Sequence, residues 1–215
     1  MSADLDKATT RNLLDGLRSF VTTFEGQRDA AREEDARALT ESREHHPHAV
    51  LFGDLLPRLQ NYSLVTLLTV VLKARLAVFC KAVRQDHGLA QNLDDMDGTF
   101  LEKVHIYLRD VVQAEPPADL WNWTEELVLL HSCITEAAGN PDLMGKFDRR
   151  VLQQIVRRRP GLALEQDDLL FSRSPHLSQR PQPVLVIHTE FCMDAVTAAQ
   201  GLFGYLYQHR TPGGP

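Results

Sequence analysis

The sequence predicts an α+β protein, with an all-α helical bundle over residues 1–115 followed by a small mixed, β-containing domain over 118–215. Three observations carry this. Apolar residues before position 115 recur at helical spacing. Pro116-Pro117 then interrupts the chain with two residues that offer no backbone N–H. Beyond the prolines the apolar segments shorten and are bounded by turn formers.

The first helix is expected from about Thr10 to Phe24, where Leu13, Leu14, Leu17, Phe20, Val21 and Phe24 form one stripe and Thr9 or Thr10 can serve as N-cap. Gln27 to Arg43 continues it with a thin stripe of Ala31, Ala38 and Leu39, until His45, His46, Pro47 and His48 break it. A short apolar segment, His48 to Leu59, leads into the strongest element. From Tyr62 to about Arg84, Leu64, Leu67, Leu68, Val71, Leu72, Leu76, Phe79, Cys80 and Val83 follow helical spacing, and Val65, Val70 and Val78 widen the apolar face. A helix apolar on more than one side needs cover on more than one side, which makes it the centre of a bundle or an interface helix. After the acidic loop Asn92 to Asp97, with Asp97 as cap, a helix from about Thr99 to Gln113 buries Phe100, Leu101, Val104, Leu108 and Val111.

In the second half, Glu126 to Ile134 reads as a strand and Gly139-Asn140-Pro141 as a turn. Lys146 to Arg159 reads as a basic amphipathic helix with Phe147, Val151, Leu152, Ile155 and Val156 inside, ended by Pro160-Gly161. Ser172 to Pro183 is a proline-rich loop, Val184 to Ile187 a strand, Asp194 to Gln200 a short helix capped by Gly201, and Leu202 to Tyr207 a final strand.

Composition narrows function. The formal charge of −6 disfavours a general affinity for nucleic acid, so any DNA contact is indirect or runs through the basic helix from Arg149 to Arg159. That helix lacks interleaved aromatics for base stacking. Three cysteines, Cys80, Cys133 and Cys192, are too few for a disulfide framework and suit a reducing, intracellular compartment. The N-terminus lacks the basic start and apolar run of a signal peptide, and the uncharged stretch Asn61 to Leu72 is too short to span a bilayer, so no membrane partner is expected.

Two constellations invite chemistry. His131-x-Cys133 and His188-x3-Cys192 supply two His and two Cys, a zinc-like donor set, if a strand places His131 and Cys133 on one face. The spacings match no familiar zinc module. A divergent metal- or thiol-dependent enzyme would need these four to converge. The His45, His46, His48 cluster reads as an exposed turn. Cys192 sits between Glu190 and Asp194, which raises its pKa and opposes nucleophilic use. No Gly-rich phosphate loop, serine elbow or His-Glu-x-x-His is present. Neither a catalytic residue, a metal ligand nor a cofactor is assigned. Trp121 and Trp123 past the prolines are either a packing plug or a binding hot spot.

Val71-Leu72-Lys73-Ala74-Arg75-Leu76 resembles the arginine-bearing core of the long helix in subunits of the GINS complex, the tetramer that accompanies the replicative helicase. Tyr107-Leu108-Arg109-Asp110-Val111, followed by Pro116-Pro117-Ala118-Asp119-Leu120, is similar to the end of the helical domain in the subunit whose β-rich domain comes last, and the expected C-terminal strand, short helix, Gly201 and strand resemble that second domain. The resemblance implies a non-catalytic scaffold in a heterotetramer, with paralogous subunits and helicase components as partners and a nuclear location in a eukaryote. Partner-binding residues are then Val65, Val70, Arg75, Val78, Tyr107, Trp121 and Trp123. Arg75, on an apolar face, has to find a partner or snorkel to water, and is expected to pair with a carboxylate from Glu102, from the N-terminal helix or from a partner subunit. A helical adaptor of an unrelated complex is the alternative.

Overall fold

The computed structural model describes residues 3–41, 55–167 and 182–210. Among these are six helices and one two-stranded sheet: α1 (Ala3–Glu41), α2 (Leu56–His87), α3 (Phe100–Ile106), α4 (Ala118–Ala137), α5 (Lys146–Arg158), β1 (Leu162–Asp167), β2 (Gln182–Ile187) and α6 (Thr189–Gln208). The α+β class holds, with a helical N-terminal region and the sheet towards the C-terminus. The histidine cluster at 45–48 and most of the proline-rich segment 172–183 lie outside the described residues.

The helices expected in the first half are present; the first two are longer than expected, and the third is a short α-helix continued by a π-turn. The two N-terminal stripes join as one helix, and α2 extends the Tyr62–Arg84 core at both ends. Among the described residues α2 alone is long and apolar enough to cross a bilayer, but half of its apolar stretch is buried inside the protein. Helix α3 is capped by Thr99 rather than Asp97. The Thr99 hydroxyl accepts from the Glu102 N–H while the Glu102 carboxylate takes the Thr99 N–H at 2.7 Å, a reciprocal capping box. The Thr99 N–H, and next the Thr99 hydroxyl, held against the carboxylate keep the Glu102 carboxyl below its ordinary pKa. The helix widens into a π-turn over Tyr107–Val112 and closes on Gln113 in the left-handed conformation.

Two predicted strands are helices instead. Glu126 to Ile134 lies within α4, because Trp121, Thr124, Leu127, Leu130 and Cys133 are buried at three-residue spacing, a helical rather than an alternating pattern. The proline pair, expected to end the previous helix, lies beyond that helix's close at Gln113 and instead opens this one, since the Pro117 carbonyl accepts the Trp121 N–H at 3.0 Å. Leu202 to Tyr207 lies within α6. Ala195, Ala199, Leu202 and Leu206 carry one buried stripe straight through Gly201, so continuous packing outweighs the roughly 1 kcal/mol a mid-helix glycine costs. Strand β1 was not anticipated, because Leu162 to Asp167 has only three apolar residues.

Contacts group the chain into two compact units, and α1, α2, α4 and α6 each contribute residues to both. The first comprises 3–17, 67–127 and 195–210. Its interior holds Leu72, Leu76 and Phe79 of α2, Tyr107 and Leu108 after α3, and Leu202 and Leu206 of α6. The second comprises 18–41, 55–66, 128–167 and 182–194. It is built on the antiparallel pair β1–β2, in register Leu162↔Ile187 and Leu164↔Leu185. Two strands alone are marginal in water, and the outer edge of β2 is satisfied from elsewhere in this unit. The Leu185 N–H donates to the Gly139 carbonyl at 2.8 Å, the Tyr62 hydroxyl donates to the Leu185 carbonyl, and Asn61 donates to the Ile187 carbonyl at 2.6 Å. Leu152, Ile155, Val184, Ile187 and Phe191 form the apolar interior.

Candidate functional site

Arg75 organises the largest buried polar cluster described here. It is 8% exposed and pairs with Asp6 of α1, itself 1% exposed. Its Nε donates to Thr10 Oγ1 at 2.8 Å, and its terminal nitrogen also reaches the Asp6 carbonyl at 3.1 Å. The second Asp6 carboxylate oxygen accepts from the Tyr207 hydroxyl at 2.7 Å, and that hydroxyl lies 2.9 Å from Thr10 Oγ1. The Tyr207 ring packs edge-on to Phe79. Arg75 Nε and one terminal nitrogen, both Asp6 carboxylate oxygens, Thr10 and Tyr207 are all hydrogen-bonded within the cluster, as burying a charge requires. The expectation of an N-terminal-helix carboxylate for Arg75 is met by Asp6. Because these partners come from α1, α2 and α6 of the same chain, the cluster reads as a clamp on those helices in the first unit.

The four candidate zinc donors do not gather. His131 and Cys133 sit on a helix, where residues two apart point about 160° away from each other. Cys133 is buried, whereas His188 is exposed. Among the described residues no group of three or more His, Cys, Asp or Glu is placed to hold a metal ion. All three thiols are buried, and burial pushes Cys80 and Cys192 up to about 12 and Cys133 up to about 11. For Cys192 the additional charge that raises its pKa is Glu25, not the expected Glu190 or Asp194. A thiol held protonated is a poor nucleophile and metal ligand. In the second unit a shallow cleft of about 270 Å³, open mouth included, is lined by Val21, Phe24, Glu25, Asn61 and Thr189. Only about 10 Å³ of it is enclosed space, room for no more than about a water molecule.

The proposed partner-binding residues fall into three groups. Val65, Arg75, Tyr107 and Trp121 are buried within the chain. Val78 and Trp123 are half-buried. Val70 is 53% exposed, and Leu67 beside it is 46% exposed. With exposed Ala74 they form an apolar face on the stretch of α2 that belongs to the first unit, opposite Leu68, Leu72 and Leu76. Trp121 acts as a plug, donating its indole N–H to Glu125 at 3.1 Å and stacking on His105 at 4.6 Å.

Two features escaped sequence reasoning. Asp6 and Tyr207 gave no local signal, because their partner is remote in sequence, and Thr9 and Thr10, expected as N-caps, lie inside α1, which begins at Ala3. Phe147, expected inside, is 77% exposed, and Leu143 is 67% exposed. On α5 Phe147 lies five residues before Leu152, a rotation of about 140° from that buried side chain. No family model, characterised protein or solved structure matches the chain.

Proposed function

We propose that the protein is a non-catalytic helical subunit that works by binding other proteins, and that its assembly is a GINS-like heterotetramer of the replication machinery, nuclear in a eukaryote. The observation that carries the binding reading is the exposed apolar face Leu67, Val70 and Ala74 on a helix whose opposite side is already core. Contiguous exposed apolar surface is characteristic of an interaction site. The GINS-like identity rests on the resemblance of residues 71–76 and 107–120. The C-terminal helix α6, standing where a strand was expected, lends that identity no support.

The test is light-scattering chromatography of the full chain, alone and co-expressed with the other subunits of such a tetramer. Alone it is expected to self-associate or bind a hydrophobic dye. With its partners it forms a stoichiometric complex, which Leu67→Asp with Val70→Asp abolishes while leaving the far-UV spectrum intact. A dispersed monomer that binds neither dye nor partner overturns the reading. Complex formation with unrelated helical partners alone supports the adaptor reading and removes the GINS-like assignment.

A further inference from the structure

The second unit carries a surface of different chemistry on α5. Lys146, Arg150 and Arg157 are exposed and follow spacings of four and seven, so they line one stripe about 16 Å long. Arg149 is held by Asp142 at 2.8 Å, whereas among the described residues no ion pair engages Lys146, Arg150 or Arg157. At the start of the stripe stand Leu143 and Phe147, the two most exposed large apolar side chains described, with half-exposed Met144 between them. The surface therefore joins a cationic ridge to an apolar tip.

Charge decides among the ligands such a surface can take. Residues 146–159 hold six cations and one carboxylate, so the formal −6 of the chain is the balance of +5 here and −11 elsewhere. A nucleic-acid duplex or an anionic bilayer is an extended polyanion, which the net charge of −11 on the rest of the chain disfavours. A duplex backbone also offers nothing to cover Leu143 and Phe147. A short acidic segment meets the ridge alone, and one that is amphipathic also supplies apolar side chains for the tip.

We infer that Lys146, Arg150 and Arg157, with Leu143 and Phe147, form a docking surface for an acidic amphipathic helix of a protein partner. The inference deepens the protein-binding reading and rests on it, but uses a surface separate from the α2 face. Carboxylates pair with the ridge and fix the helix register, while the apolar pair sets the polarity by accepting its hydrophobic end.

The test is fluorescence anisotropy with the full chain and a labelled helical peptide that has glutamates along one face and a leucine pair at one end. Saturable, salt-sensitive binding is expected, and replacing the glutamates by glutamines abolishes it. Lys146→Glu with Arg150→Glu and Arg157→Glu is expected to weaken binding at least about tenfold, as is Phe147→Ser, which keeps every charge. Should the triple variant misfold by far-UV spectroscopy, Phe147→Ser with Arg157→Gln gives the same reading. Peptide affinity unchanged in both variants overturns the inference. So does tighter binding, through the same residues, to phosphatidylserine vesicles or to a DNA duplex. Leu67→Asp with Val70→Asp leaves peptide binding intact, so failure of the α2 reading and failure of this one are distinguishable.

Discussion

At the scale of single residues, burial of Arg75 is the feature with the largest energetic leverage. Removing the guanidinium leaves the Asp6 carboxylate enclosed without its counter-charge, a loss of roughly 3–5 kcal/mol. Arg75→Ala is therefore expected to lower the denaturation midpoint sharply. Arg75→Ala with Asp6→Ala should cost less than the two single changes added, by about 0.5–3 kcal/mol in a double-mutant cycle. Additivity would mean that the two do not interact. The thiols give a second residue-level expectation. Native protein at neutral to mildly alkaline pH should show almost no reaction with a thiol reagent, and denaturant should release all three. Cys80 and Cys192 keep their protons in the folded chain up to about 12, whereas the unfolded chain loses them near 9.0. The unfolded state then binds fewer protons, so stability is intact below that lower value. It falls as pH rises through the window, by about 1.4 kcal/mol per pH unit for each thiol. Urea titrations across this range check it, and Cys80→Ala should flatten the decline.

At the scale of elements, glycines separate places where backbone conformation is required from places where it is not. Gly139 has φ +78°, and a Cβ there would run into the Tyr62 hydroxyl that caps the β2 edge. Gly139→Ala should cost about 1–2 kcal/mol from the left-handed backbone alone, and more from displacing Tyr62. Gly16 and Gly26 lie within α1 with open space around them, so Gly16→Ala and Gly26→Ala should each stabilise by about 0.5–1 kcal/mol. Thermal melts of the three variants with opposite signs are the expected result. The same contrast explains what was legible in the sequence. Helices α1, α2, α3 and α5 and strand β2 could be read because their own spacing announces them. Helix α4 was missed because Glu126 to Ile134 is dense in apolar residues, so a short window shows no period. The end of α6 was missed because Gly201 mimics a cap. Arg75 could be anticipated as buried and paired, since a charge on an apolar face is conspicuous. Tyr207 and Thr10 could not, because their placement depends on contacts far along the chain, whereas the exposed Phe147 was misplaced on its own helix, about 140° from Leu152.

At the scale of the whole molecule, the two units are interleaved in sequence, and the first draws on residues 3–17, 67–127 and 195–210. A fragment of residues 1–115 retains Asp6, Thr10 and Arg75 but loses Tyr207 and the buried stripe of α6. It is expected to show helical far-UV signal without the dispersed amide spectrum of a packed core, and adding back residues 189–210 as a peptide should restore part of that dispersion. A well-dispersed spectrum from the fragment alone would show that α6 is dispensable to the first unit. The order of synthesis adds a consequence. Asp6 and Arg75 are 69 positions apart and can meet while the chain is still being made, but Asp6 and Tyr207 are 201 apart. Closing the longer loop adds only about 1 kcal/mol of entropy over the shorter one, since that cost grows with the logarithm of length. Timing, rather than entropy, is what the separation governs. Until Tyr207 leaves the ribosome, one oxygen of a carboxylate destined for the interior has no partner, and the nascent first unit waits, hydrated and unfinished, for its last helix.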